Sequence, residues 1–388
     1  MAEDLLLNSI RLLERLVLID SGTENIAGVN AVQNVLSEEM TNLGFEVRII
    51  PNPLGVNISG DLLVAELVGE CDDWVTLVSH ADTVFELDSG FSGFKVDQAG
   101  DYAIGPGVID NKGGIVVALM ALSLFLAKNP KRSYRMVVSP NEETGSTGFH
   151  EEFQSIGLSS KAILGFEPAF EDGAFVNRRQ GNRWYDLQIV GREAHSGREH
   201  AYGVNAAHEL ACKISELMAL TNYDNGTTVS VGRIEGGQDK FNIVCGEARA
   251  KIDLRYEDAK VGELVHQQVE RILSTAFTES QADGMSPQCS FKVVDDCPPF
   301  KNNLKSDQVS AELQGFINAE EGGLCPPPKR GAAADTSYMA HSEAVVLDGL
   351  GVRGSGMHQN CERVHLSSLE SRARACAKLL AHLDQLDF

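Results

Sequence analysis

Hydrophobic residues recur in two rhythms along this chain. Leu5, Leu6, Ile10, Leu13, Leu16 and Val17 fall at helical spacing until Asp20-Ser21-Gly22 breaks it, which predicts an N-terminal amphipathic helix. A second helix is expected near Ala31 to Leu43. Strands follow at Glu46 to Ile50 and Asp61 to Val68, and then the apolar run Val75 to Val78 leads into Ser79-His80. Ile115 to Ala127 is apolar nearly all round and reads as a buried helix, and Tyr134 to Ser139 and Ala162 to Phe166 read as strands. Strands alternating with helices predict an α/β domain built on a mixed, largely parallel sheet flanked by helices.

The rhythm changes near Trp184. Strand Trp184 to Val190, helix Val204 to Leu220, strands Thr227 to Ile234 and Glu247 to Leu254, helix Val261 to Phe277 and strand Ser290 to Val294 give the order βαββαβ, a ferredoxin-like pattern. Polar, Gly- or Pro-bearing stretches at Arg178 to Arg183 and Asp295 to Pro299 read as linkers. The expected domains are therefore 1–182, an inserted unit at 183–296, and 297–388 returning to the first sheet through helices near Asp307 to Asn318 and Leu366 to Leu386. With 388 residues, both units are large enough to bury their own cores.

Composition narrows the partners. Fifty-five acidic against 33 basic residues give a formal charge of -22, which repels a phosphate backbone or an anionic membrane surface. Neither nucleic acid nor membrane is expected as a partner. Eight scattered cysteines form no CxxC pair, which argues against a disulfide framework and against a thiolate zinc site. The acidic start of the chain lacks a basic leader, and the longest uncharged apolar run falls short of ~18 residues, so a cytoplasmic location is expected.

Three expected strand ends deliver candidate ligands: Ser79-His80-Ala81-Asp82, Asn141-Glu142-Glu143 and Phe166-Glu167-Pro168. Open α/β sheets bind ligands beyond the carboxyl ends of their strands. Between them, GPGVIDNKGG sets Asp110 in a glycine-rich loop directly before the buried helix, and late in the chain GSGMHQN holds His358. Imidazole with carboxylate suits Zn²⁺, and two cations about 3.5–4 Å apart that share a carboxylate can activate a water between them and polarise a carbonyl. Asp82 is then the expected partner of the second ring nitrogen of His80, and one of Glu142 and Glu143 binds metal while the other takes a proton. Each piece alone has a plainer account: His-x-Asp is commonly a surface polar pair, paired glutamates a solvated turn, and His358 a loop histidine. The glycine loop lacks the GK[ST] ending of a phosphate loop, and Asp110 would repel phosphate. Their combination at successive strand ends favours the metal reading.

SHADTVF, GPGVIDNKGG, NEETGS, GFEPA, GREAHSG and the late GMH, in this order, resemble the dinuclear-zinc peptidases that include glutamate carboxypeptidase, aminoacylase, acetylornithine deacetylase and succinyl-diaminopimelate desuccinylase. The resemblance spans nearly the whole chain. It implies two Zn²⁺ ions, for which Co²⁺ or Mn²⁺ can substitute, bridged by Asp110, with His80 and Glu167 completing one and Glu143 and His358 the other. It further implies Glu142 as general base and a cis peptide at Asp110-Asn111. The inserted unit resembles a lid that joins a homodimer, where His195 reaches the partner's active site and steadies the oxyanion; a solvent-exposed loop histidine is the plainer alternative. Arg255 would clamp a free substrate carboxylate, with Asn242 near it.

Glu167, AHSGREHAYGVNA and the stretch 173–181 are similar to the glutamate carboxypeptidase branch, whereas Gln180 and Cys245 replace an expected lysine and proline. The resemblance implies a hydrolase cutting an amide bond beside a C-terminal, glutamate-like amino acid. A deacylase of N-acyl amino acids would share every ligand. A catalytically inactive peptide-binding metalloprotein would be expected to lack Glu142.

Overall fold

The computed structural model describes residues 2–126, 130–323 and 325–388, so Ala127, the end of the expected buried helix, lies outside the described residues. Two units emerge, one formed by Met1–Arg179 with Lys301–Phe388 and one by Gln180–Phe300. The first holds a six-stranded sheet in the order Glu46–Ile50, Leu62–Leu67, Arg132–Ser139, Cys71–His80, Ser160–Gly165, Val345–Leu347. The first two pairings are antiparallel and the remaining three parallel, so the sheet is mixed. All eight residues of Arg132–Ser139 are buried, so this central strand shows no alternation of buried and exposed positions, and its Arg132 and Arg135 are paired with Asp73 and Glu66.

The helix Lys112–Leu126 is buried on every side from Lys112 to Leu122 and packs with Leu366–Gln385 and Ala2–Val17 in the main core cluster. A small antiparallel sheet, Gly354–Ser355, Arg363–His365, Tyr102–Ile104, Lys95–Val96, joins distant parts of the chain. Its register sets Arg363 opposite Ile104 and His365 opposite Tyr102. The loops that follow Ile104 and precede Arg363 therefore leave it side by side.

The second unit is an antiparallel sheet ordered Thr228–Gly236, Glu247–Tyr256, Gly181–Val190, Gln288–Cys297, packed with helices Ala206–Met218 and Ala259–Ser274. Alternate residues of Glu247–Tyr256 are buried, as a sheet covered on one face requires. Asn205 and Asp258 cap the two helices through side-chain oxygens that accept backbone N–H bonds.

Arg178 to Arg183 differs from the linker expected there. It runs through the strands Val176–Arg179 and Gly181–Val190, with Arg179 buried against Asp348 and Asn182 against Asp295, while the border between the two units falls inside it, at Arg179 and Gln180. Among the described residues no helix is long and apolar enough to cross a membrane.

Candidate metal centre

Parallel pairing aligns His80 with Ser139 and Val78 with Gly165, so three strands end side by side at one edge of the sheet. Just beyond those ends come Asp82, the 3-10 turn Glu142–Thr144 and Glu167. Asp110 sits in the loop before Lys112–Leu126, and its peptide bond to Asn111 is cis. His358 lies in the loop before Arg363–His365, in a left-handed conformation with φ 61°.

Asp110 stands at the middle. One carboxylate oxygen is 3.0 Å from His80 Nε2, and the other is 3.1 Å from His358 Nε2. Glu167 approaches His80 Nε2 at 3.7 Å, and Glu143 approaches His358 Nε2 at 3.5 Å. The pairs thus divide into two sets, His80 with Glu167 and His358 with Glu143, that share Asp110. Donor atoms of His80, Asp110 and Glu143 lie within 4.8 Å of one another.

Other buried groups hold these side chains. His80 Nδ1 faces Asp82 at 3.2 Å to its carboxylate and 3.1 Å to its carbonyl oxygen. Asp82 also accepts from Thr23 Oγ1 and from the backbone N–H groups of Glu142 and Glu143, which links the imidazole to the glutamate turn. Asn111 donates from Nδ2 to Glu167 Oε1 at 3.0 Å and accepts from Ser79 Oγ. Asp348, fully buried, accepts from the Glu167 backbone N–H and pairs with Arg179 at 2.9 Å. Thr23, Asn111, Arg179 and Asp348 were not read as functional from the sequence. Only Asn111 had a signal there, as the residue after Asp110.

Electrostatics mark the cluster as frustrated. Burial lifts Glu167 to about 8 and lifts Glu143, and it carries Glu142 well above the carboxylate range with the charge of Glu167 adding to the effect. Burial disfavours the charged form of His80, yet Glu167 and hydrogen bonds to Asp110 and Asp82 outweigh it and hold the imidazole well above its ordinary value. His358 is pushed up to about 10 by hydrogen bonds to Asp110 and then Glu143. In Asp110 burial acts upward, but hydrogen bonds from His358 and His80 prevail and hold it low. Buried acids and histidines that hold one another out of their ordinary ranges are relieved by a cation.

The donor set fits one. Bonds of ~2.0–2.2 Å at tetrahedral angles place two ligand atoms of one Zn²⁺ about 3.3–3.5 Å apart, and the separations here run from 3.0 to 3.7 Å. Among the described residues Glu143 Oε1 is buried without a hydrogen-bond partner, as an unmet ligand atom would be. Glu142 differs, since among the described residues no hydrogen bond engages its carboxylate.

His195, Asn242 and Arg255 belong to the second unit. His195 is exposed, its Nδ1 accepts from Gly197 N–H, and its backbone bridges Ile243. The Ser196 N–H donates to the Asn242 carbonyl, so the structure brings these two loops together. On Glu247–Tyr256, Arg255 Nε donates to both carboxylate oxygens of Asp253 at 2.9 and 2.8 Å.

Comparison with known proteins agrees with this architecture. A family model described as a peptidase dimerisation domain matches residues 177–280, and one described as peptidase family M28 matches residues 63–166. Carboxypeptidase G2 of Pseudomonas sp. is 27% identical over 387 residues, covering 96% of this chain and 89% of its own. A tripeptidase structure from Staphylococcus aureus superposes with a TM-score of 0.78 at 22% identity, over 98% of this chain and 99% of that one. An M20 family metallo-carboxypeptidase from Sulfolobus solfataricus reaches a TM-score of 0.78 at 16% identity, over 97% and 99%.

Proposed function

We propose that this chain is a metal-dependent hydrolase of the M20 metallopeptidase family and that it releases a C-terminal, glutamate-like amino acid from a small peptide or N-acyl substrate. The observation that carries the reading is the pair of donor sets meeting at Asp110. His80 and Glu167 would hold one Zn²⁺, His358 and Glu143 the other, and Asp110 both. Bound there, the cations would polarise the scissile carbonyl and ready a water for attack.

The chain's own groups do the rest. Glu142 takes the proton of the attacking water and returns it to the leaving amine, a role suited to a carboxylate that no hydrogen bond among the described residues restrains. Asp82 holds Nδ1 of His80, so that Nε2 points at the shared carboxylate. In the second unit we assign Arg255, with Asn242, to the free carboxylate of the substrate, and His195 to the oxyanion in a homodimer joined through that unit. Release of a C-terminal residue is supported by the likeness to carboxypeptidase G2 and by the arginine at 255, and the glutamate preference by the resemblance of Glu167 and AHSGREHAYGVNA to the glutamate carboxypeptidase branch. Deacylation of N-acyl amino acids is the second reading, supported by the 24% identity to a succinyl-diaminopimelate desuccinylase of Psychrobacter arcticus across 97% of this chain.

A hydrolysis panel separates the two. Zinc-loaded protein is offered N-acyl glutamates, N-acetyl and N-succinyl basic amino acids, and dipeptides ending in glutamate or leucine, each with and without chelator. Chelator-sensitive release of glutamate ahead of the others is expected. Preferred release of a basic amino acid would turn the reading to deacylation, and chelator-insensitive release would remove the metal from it.

A further inference from the structure

Glu362 is a buried carboxylate close to the site that has no place among the donors. It turns instead onto the backbone of the loop that carries Asp110. Its Oε2 accepts from Gly107 N–H at 3.2 Å, and its Oε1 accepts from Ile109 N–H at 2.7 Å and from Asp110 N–H at 3.1 Å. The Gly105 N–H adds a bond to the Glu362 carbonyl at 3.3 Å. Arg363, the next residue, is opposite Ile104 in the small sheet, so the Asp110 loop and the His358 loop are tied together at Glu362.

We propose that Glu362 is a positioning residue that sets the aim of the Asp110 carboxylate and its separation from His358. The Asp110 side chain can point at both imidazoles only if the backbone at Ile109 and Asp110 is held. Those N–H groups are buried and need an acceptor, and among the described residues Glu362 is the side chain that supplies one to all three. Because Glu362 is four residues after His358, the same side chain couples the two ends of the donor set. The glycine at 107 suits this close packing: it has φ +74°, and a Cβ there would fall 2.7 Å from Thr83 Cγ2. The inference rests on the reading of Asp110 as the ligand shared by the two cations.

Metal affinity tests it without recourse to turnover. Metal-free wild type, Glu362→Gln, Glu362→Asp and Glu362→Ala are checked for native far-ultraviolet circular dichroism and melting. Each is then titrated with Zn²⁺ against a chromophoric chelator. Glutamine keeps the shape but turns an NH₂ group toward at least one of the backbone donors, so Glu362→Gln is expected to bind Zn²⁺ roughly 10–100-fold more weakly, the usual scale for groups that orient ligands. Glu362→Ala should lose at least as much. Leu379→Ala, a core change in Leu366–Gln385, supplies a destabilised comparison whose affinity should stay near wild type. Should Ala or Gln fail to fold, Glu362→Asp keeps the charge and withdraws it by one methylene, and it is expected to weaken Zn²⁺ binding in the same way. Folded variants that melt earlier but bind Zn²⁺ like wild type would overturn the proposal and leave Glu362 as loop support alone. Wild-type protein that takes up no Zn²⁺ would instead refute the metal centre itself.

Discussion

Glu142 and Glu143 share one three-residue 3-10 turn and meet different surroundings. Glu143 faces His358 at 3.5 Å, while the carboxylate of Glu142 is lifted by burial and by the charge of Glu167 and makes no hydrogen bond among the described residues. A ligand must stay ionised and fixed, whereas a base must be able to take and return a proton. Glu142→Ala is therefore expected to keep its full metal content, measured by elemental analysis, while turnover on the best substrate falls by roughly 10²–10⁴. Wild-type turnover in a metal-loaded Glu142→Ala protein would contradict its role.

At this scale the sequence marks the candidate donors and hides their supports. His80, Asp110, the glutamate pair and Glu167 sit at strand ends or in glycine loops, where residue type and position make a pattern. Thr23 reaches Asp82 across 59 residues and Arg179 reaches Asp348 across 169. Such pairings follow from the packed fold, and neither Thr23 nor Arg179 has a neighbour in sequence that marks it.

The elements that position the site do so through close backbone packing. Gly114 lies in the first turns of Lys112–Leu126, and a Cβ there would fall 2.1 Å from Asn111 Oδ1 and 2.0 Å from the Phe166 carbonyl oxygen. Both neighbours adjoin proposed ligands, Asp110 on one side and Glu167 on the other. Gly114→Ala should destabilise the protein by roughly 1–3 kcal/mol, the usual cost of overpacking, and should also weaken metal binding. Denaturant unfolding of the metal-free protein checks the first effect, and a change within error of zero would show that the helix shifts freely.

Long elements were legible because their pattern is strong. The six-residue Leu62–Leu67 and the all-round apolar helix before Leu126 read directly from hydrophobic runs. Tyr102–Ile104, Arg363–His365 and Gly354–Ser355, only two or three residues each, carry no period of their own and form by pairing across the chain. That small sheet is what brings the His358 loop beside the Asp110 loop, so the convergence of the donors was legible only as an expectation. Arg178 to Arg183 reads as linker because its polar side chains look solvated until Asp348 is seen opposite Arg179.

For the whole molecule, a formal charge of -22 gives a general attraction for cations but no site. Specificity has to come from the donors gathered at Asp110, and their protonation provides the most direct test. In the metal-free protein Glu167 is lifted to about 8 and His358 to about 10, so near pH 7 each retains a proton that a bound cation must displace. Uptake should release protons, weaken as pH falls below 7, and strengthen as pH rises through 8 toward 10. The measurement is a calorimetric titration of metal-free protein with Zn²⁺ at several pH values, in buffers of different ionisation enthalpy. Two equivalents per chain, bound with proton release and lost in Asp110→Ala, are the predicted result; no tight uptake, or uptake unaffected by Asp110→Ala, would contradict it.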